Sequence, residues 1–182
     1  MIKPLQDFLP QLTAFFHDAA IAGWASTEAD DDGPSSPRRP GHTRHVYRRD
    51  NFLYEDEFAG FFRSRGEEIV YWNFAPGNNA QGATDWRPVW DQQYRGGVME
   101  EKIGDTGFAG AVFGFLKQAL ADKPRGQFQP RGPNKFELGD WKYSADWDGD
   151  IKSFRGEETV YRNGLPVFFH WFQGGLLWPK RD

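Results

Sequence analysis

The chain has 182 residues, enough for one ordinary domain with a real core. Its formal net charge is −4, so the molecule as a whole has no basic footprint for nucleic acid. It has no cysteine, which removes disulfides, thiolate metal sites and Cys nucleophiles together and fits a reducing compartment. With 17 Phe, 8 Trp and 6 Tyr, the core must be built largely of rings.

Residues 4 to 20 form the first predicted element, an amphipathic helix. Leu5, Phe8, Leu12, Phe15 and Phe16 fall at helical spacing, Pro10 should kink the helix or delay its start, and Gly23 is a plausible stop. The N-terminal apolar stretch is cut by His17-Asp18, whereas a signal peptide would want it unbroken. No apolar run reaches the ~20 residues of a membrane span. A cytoplasmic protein that does not contact membrane is expected.

Residues 26 to 43 read as a linker, rich in Ser, Asp and Pro. The acidic run Asp30 to Asp32 precedes a basic run of Arg38, Arg39, Arg44, Arg48 and Arg49, read as a solvated, self-compensating loop. From Tyr47 the pattern becomes short and alternating. Phe52, Tyr54, Asp56 and Phe58 predict a strand with one wet face. Gly66–Asn73 and Pro88–Tyr94 predict two more. Gly107–Ala121 is the best predicted helix, with Phe108, Ala111, Val112, Phe115, Leu116, Ala119 and Leu120 on a broad apolar face. Gly110 and Gly114 weaken its propensity and would admit a close neighbour.

The strongest signal is a repeat. Residues 65–73, RGEEIVYWN, align with 155–163, RGEETVYRN, identical at seven of nine positions. Chance identity is about one in fifteen per position. Upstream, Tyr54, Phe58 and Gly60 answer Tyr143, Trp147 and Gly149. Downstream, Pro88-Val89-Trp90 answers Pro166-Val167-Phe168, and the Gly96-Gly97 pair answers Gly174-Gly175. The unit reads as a three-stranded antiparallel meander. Asn163-Gly164 is a tight hairpin turn in the second copy, and the first copy replaces it with a long loop over 74–87.

The expected fold is therefore α+β: an internally duplicated antiparallel β-meander with pseudo-two-fold symmetry, covered by an N-terminal and a central helix. We expect a single domain over 1–182, with the N-terminal helix in 1–23, a flexible linker in 24–44, repeat one in 45–99, the central helix in 105–123 and repeat two in 136–178.

The motifs Gly66-Glu67-Glu68-Ile69-Val70-Tyr71, Phe115 to Leu120 and Gly156 to Tyr161 resemble a bacterial family of unknown function, numbered 5680. The resemblance runs from Leu5 onward and leaves out the Pro-rich linker and the 74–87 loop. The family has no assigned activity. Some relatives carry an N-terminal helix-turn-helix domain, which implies a sensor or effector role. No such domain is read here, so direct DNA binding is not expected.

Three patterns could carry chemistry. Neighbours on a strand point to opposite faces, so one Glu of each pair, Glu67-Glu68 and Glu157-Glu158, should face inward. Two inward carboxylates near a pseudo-dyad could do acid–base work or hold a cation. Arg65 and Arg155 pairing with local Glu residues is the plainer structural reading. On the third strands, Trp90, Gln92 and Tyr94 answer Phe168, His170 and Phe172, a polar group between rings that could line a pocket. The candidate ligand-binding residues are Glu68, Glu158, His170, Gln92, Tyr71, Tyr161 and Trp90. Asp146, Asp148, Asp150 and Glu157 match calcium-loop spacing, but Ile151 stands where the loop needs Gly. His42 and His45 lack the spacing of a zinc site. No metal and no cofactor is expected.

The leading expectation is a non-enzymatic small-ligand sensing or interaction module, with a small molecule, a protein partner or a second copy as its occupant. The alternatives are a small hydrolase or isomerase using Glu68, Glu158 and His170, and carbohydrate binding through exposed aromatic rings.

Overall fold

The computed structural model describes residues 5–25, 39–75 and 85–177. Helix α1 (Leu5–Ala25) is followed by strands β1 (Thr43–Arg49), β2 (Phe52–Gly60), β3 (Arg63–Asn73) and β4 (Trp86–Val98). Helix α2 (Thr106–Ala121) is followed by β5 (Lys135–Leu138), β6 (Trp141–Asp150), β7 (Ser153–Arg162) and β8 (Leu165–Leu176). The strands form one eight-stranded sheet in the order β1-β2-β3-β4-β8-β7-β6-β5, with every pairing antiparallel. The fold is α+β, and each half is a helix followed by a four-stranded meander.

The meander has four strands where three were expected. The basic run is the reason on one side: Arg44, Arg48 and Arg49 lie on β1 rather than in a solvated loop. Arg44 is buried in a salt bridge with Glu55, and Arg49 pairs with Asp18 on α1. Alternation along β1 sends Arg44 and Arg48 to one face and Arg49 to the other. On the other side, β5 has four residues, too few to show a period. The acidic run Asp30 to Asp32, Arg38 and most of the 74–87 loop lie outside the described residues.

The two halves meet at β4 and β8. Trp90 pairs with Leu176, Gln92 with Gly174, Tyr94 with Phe172 and Gly96 with His170. Under the sequence alignment Trp90 answers Phe168, Gln92 answers His170 and Tyr94 answers Phe172. The ladder is thus self-complementary about Tyr94 and Phe172. The β3–β4 and β7–β8 ladders shift register at the same motif position, Val70/Tyr71 and Val160/Tyr161, where Val89 and Val167 are skipped in the pairing. Asn163 and Gly164 turn the β7–β8 hairpin with φ of 51° and 77°, the paired positive values that match strand twist.

Both helices cover one face of the sheet. Phe8, Leu12, Phe15 and Phe16 of α1 pack with Phe52, Tyr54, Val70 and Trp90. Val112, Phe115, Leu116 and Leu120 of α2 pack with Tyr143, Val160 and Phe168. Helix α1 runs through Pro10 instead of stopping for it. Pro10 is exposed, so water can serve the carbonyl that its missing N–H leaves free. The helix also runs past Gly23, which lies 3.7–3.8 Å (measured from an added Cβ) from Tyr54 and His45. Asp105 caps α2 by accepting from the Phe108 amide at 2.9 Å. Gly110, Gly114 and Ala111 of α2 face away from the core, with nothing near Gly110 or Gly114 to make a close approach.

Candidate functional site

The strand register lays side chains of the helix-covered face in rows across the sheet. One row runs Ser64–Gly96–His170–Glu158–Ala145. The other runs Phe154–Gly174–Gln92–Glu68–Asp56. The rows occupy equivalent places in the two halves, and in each a glycine separates the end residue from the polar pair. A Cβ on Gly96 would lie 2.0 Å from the Phe169 carbonyl oxygen and 2.9 Å from His170 Cδ2. A Cβ on Gly174 would lie 2.1 Å from the Asp91 carbonyl oxygen and 2.7 Å from the Phe154 ring. The empty place at Gly96 is what lets Ser64 reach His170 across β4.

The glycine of each R-G-E-E motif serves the same economy of space. Gly66 pairs with Tyr94, whose ring passes 2.2 Å from where a Cβ would stand; Gly156 pairs with Phe172, 2.8 Å away. The motif glycine therefore seats a cross-strand ring rather than making a turn.

Glu68 and Glu158 are the inward members of their pairs and both are buried. They do not face each other as a carboxylate dyad. Arg131, from the segment between α2 and β5, stands between them. Its Nη1 donates to Glu68 Oε1 at 2.8 Å and its Nε to Glu158 Oε1 at 3.0 Å. Its guanidinium also lies over the Tyr94 ring, 4.5 Å from the centroid. A buried charge needs this much company to be tolerated. Lys123 adds a second buried cation. Burial pulls its pKa down to about 7 against the pull of Glu68.

The two carboxylates differ. Burial alone would raise the pKa of Glu158, but Arg131 and His170 outweigh it and hold the group at about 2. Tyr143 completes the set by donating to Oε2 at 2.8 Å while accepting from the Gly132 amide at 3.0 Å. Glu68 is pushed upward by burial, with Arg131 and Lys123 opposing. Its neighbour Asp56 is raised to about 8, first by burial and then by the charge of Glu68. Tyr94 donates its hydroxyl to Asp56 Oδ1 at 3.0 Å.

His170 is buried, and burial lowers its pKa, so it is neutral near pH 7. Its Nδ1 lies 3.0 Å from Glu158 Oε1. An ionised carboxylate only accepts, so Nδ1 carries the hydrogen. Nε2 is then the acceptor, and the Ser64 hydroxyl, 2.9 Å away, donates to it. Ser64, His170 and Glu158 thus form a hydroxyl–imidazole–carboxylate relay with the tautomer set by the carboxylate.

This relay opens on a cleft of about 270 Å³ between the end of α1 and the face of α2. Ser64, His170, Asp56 and Tyr94 supply its polar floor, Phe113 and Leu116 supply an apolar wall, and Lys117 brings a cation. The volume is near the lower end for small-ligand sites, and the mixture of an apolar wall with few polar groups is what such sites use.

The remaining predicted residues lie elsewhere. Gln92 is buried in the second row, beside Glu68. Trp90 is a core residue whose Nε1 donates to the Ile151 carbonyl at 3.0 Å. Tyr71 points to the opposite face, where its hydroxyl donates to Glu55 at 3.2 Å. Tyr161 shares that face by alternation. Asp146, Asp148 and Asp150 lie along β6, with Glu157 on β7, so the calcium spacing is drawn out on extended strands and encircles nothing. Among the described residues, no group of three or more metal-ligating side chains gathers, and no helix is long and apolar enough to cross a membrane. Ser64, Asp56 and Arg131 did not emerge from the sequence as site residues, and Tyr94 did so only as a ring beside Gln92. The aligned repeat held a signal for two of them: Ser64 answers Phe154, and Asp56 answers Ala145.

No curated protein and no solved structure matches this sequence. A family model described as Domain of unknown function (DUF5680) matches residues 56–177. The match starts within β2 and leaves α1 and β1 outside, so the N-terminal helix is not part of it, contrary to expectation. It contains every residue of both rows. With well over half of its length matched, the chain belongs to the DUF5680 family.

Proposed function

We propose that this protein is a small-ligand-binding module whose site is the cleft between α1 and α2. The observation that carries this reading is the floor of the cleft. It gathers polar side chains of both halves, Asp56, Ser64, Tyr94 and His170, at the centre of the sheet. A face otherwise packed with rings keeps an opening over these polar groups.

The ligand is small and partly apolar. A hydrogen-bond acceptor on it would meet the neutral Asp56 carboxyl, and an anionic end would meet Lys117. The test is a thermal-shift screen of small carboxylates, esters and amides, run in parallel on a Leu116→Trp variant that fills the cleft. At a concentration 100 times Kd, a ligand stabilises by about 2.7 kcal/mol, a rise of several degrees in Tm for a chain of this size. The expected result is a set of stabilisers for the wild type that do nothing for the variant. A screen without any stabiliser, or stabilisers that act equally on both proteins, would remove the reading.

The carbohydrate alternative has a narrower footing. Trp171, 59% exposed on the open face, packs edge-on against Phe169. It is the only largely exposed indole among the described residues, and a lone edge-packed ring is not a flat platform.

A further inference from the structure

We infer that Ser64 is a nucleophile for acyl transfer from small carboxylic esters to water, with His170 as its base and Glu158 as the positioning residue behind His170. This rests on the reading of the cleft as a ligand site and adds a reaction to it. Three observations carry it. The Ser64 Oγ to His170 Nε2 distance of 2.9 Å and the His170 Nδ1 to Glu158 Oε1 distance of 3.0 Å both lie within reach for proton transfer and orientation. The tautomer is the productive one, with Nε2 free to accept. And Ser64 and His170 line a cleft, whereas the equivalent row offers Phe154 and Gln92, neither of which can act as nucleophile or base.

The step balances without any oxidant or metal. Ser64 Oγ bonds to the ester carbonyl carbon while its proton passes to His170 Nε2. The bond from that carbon to the alkoxy oxygen then breaks, and the same proton leaves with the alcohol. Water repeats the sequence on the acyl-Ser64 ester, giving the carboxylic acid and restoring the hydroxyl. His170 is a cation during each transfer, beside a carboxylate that Arg131 and Tyr143 keep ionised. The Asp56 carboxyl and Lys117 line the same cleft and are the donors at hand for the oxyanion. The apolar wall of Phe113 and Leu116 selects a short apolar acyl group.

The test uses the whole protein with a fluorophosphonate reagent and, separately, p-nitrophenyl butyrate. Intact mass and peptide mapping of the wild type should show one adduct, on Ser64. Ser64→Ala should carry none, and His170→Gln should slow both labelling and ester hydrolysis about 10²–10⁴-fold. In Glu158→Gln, loss of the carboxylate should move the rising limb of the pH–rate profile to lower pH, a change that a merely structural residue would not produce. Wild type without an adduct, or with its adduct on another residue, overturns the inference whether or not the variants fold. If ligands stabilise the wild type in the thermal-shift screen and no adduct forms, the cleft reading stands and the reaction falls. If neither occurs, both fall.

Discussion

The two rows that cross the centre of the sheet share a frame and differ in what they hold. Each has a buried Glu, a polar partner on the next strand, a glycine gap and an end residue. In one row those places hold Glu158, His170, Gly96 and Ser64; in the other they hold Glu68, Gln92, Gly174 and Phe154. Phe154 fills its gap and stacks on Trp90, with ring centroids 5.7 Å apart. Ser64 leaves its gap to a cleft. The electrostatics diverge with the packing: Glu158 is held at about 2 by Arg131 and His170, while Glu68 is pushed up by burial and Asp56 is raised to about 8 by burial and then by the charge of Glu68. The frame belongs to the architecture, and the difference lies in three side-chain substitutions, His for Gln, Ser for Phe and Ala for Asp.

The largest test breaks both rows together. Arg131→Met leaves Glu68 and Glu158 buried without their shared cation. Removing one partner of such a network costs about 3–5 kcal/mol. Urea unfolding should show a loss of that size, and a loss under 1 kcal/mol would mean that Arg131 is not what holds the rows together.

The next test sharpens the difference at Asp56. Its carboxyl is protonated in the native state up to about pH 8, whereas in the unfolded chain it ionises near pH 3.9. The native state therefore binds the extra proton between these values, and stability falls as pH rises through that window. Asp56→Asn carries no such proton. Wild-type stability should decline relative to the variant from pH 4 to pH 8, by an amount on the order of a few kcal/mol. Parallel stability curves for the two proteins would rule the raised pKa out.

Gly96→Ala and Gly174→Ala ask whether the frame is equal on both sides. Each new Cβ meets a carbonyl oxygen at 2.0–2.1 Å. Each should cost about 1–3 kcal/mol of overpacking in a thermal or urea melt. Only Gly96→Ala should disturb the His170 ring, seen as a shifted imidazole resonance. The smallest effect is expected for His170→Gln, which writes the second row's residue into the first. The amide can still donate to Glu158, so stability should change by about 1 kcal/mol or less. A much larger loss would show that His170 is held for stability.

The fold was legible where residues repeat or keep a period. The R-G-E-E strands, the Asn163-Gly164 turn and α2 all follow from local pattern. β1 was hidden because His45-Val46-Tyr47 sits among arginines that read as a charged linker. β5 was hidden because four residues show no alternation. The site was half legible. His170 stood out as a polar group between rings and Glu158 as one of a repeated Glu pair; alternation required one Glu of that pair to face the core and did not say which. Arg131 lies between Pro130 and Gly132 in a stretch with no period to read, and only the tertiary fold carries it 27 positions in sequence to Glu158. Ser64 is a small polar residue at the start of a strand, a place where serine is ordinary. Its meaning comes from Gly96 and His170, which lie on two other strands.

The ladder between β4 and β8 has a consequence for how the protein comes into being. Every other strand pairing joins neighbours in the chain, and those hairpins can close early and locally. Ser64 belongs to the first meander, whereas His170 and Glu158 belong to the second. Their contact must therefore wait for the slowest loop closure of the fold, the one that brings Tyr94 against Phe172. In a refolding experiment the hairpins would be visible well before any reactivity at Ser64. Reactivity would mark the moment when two half-proteins become one.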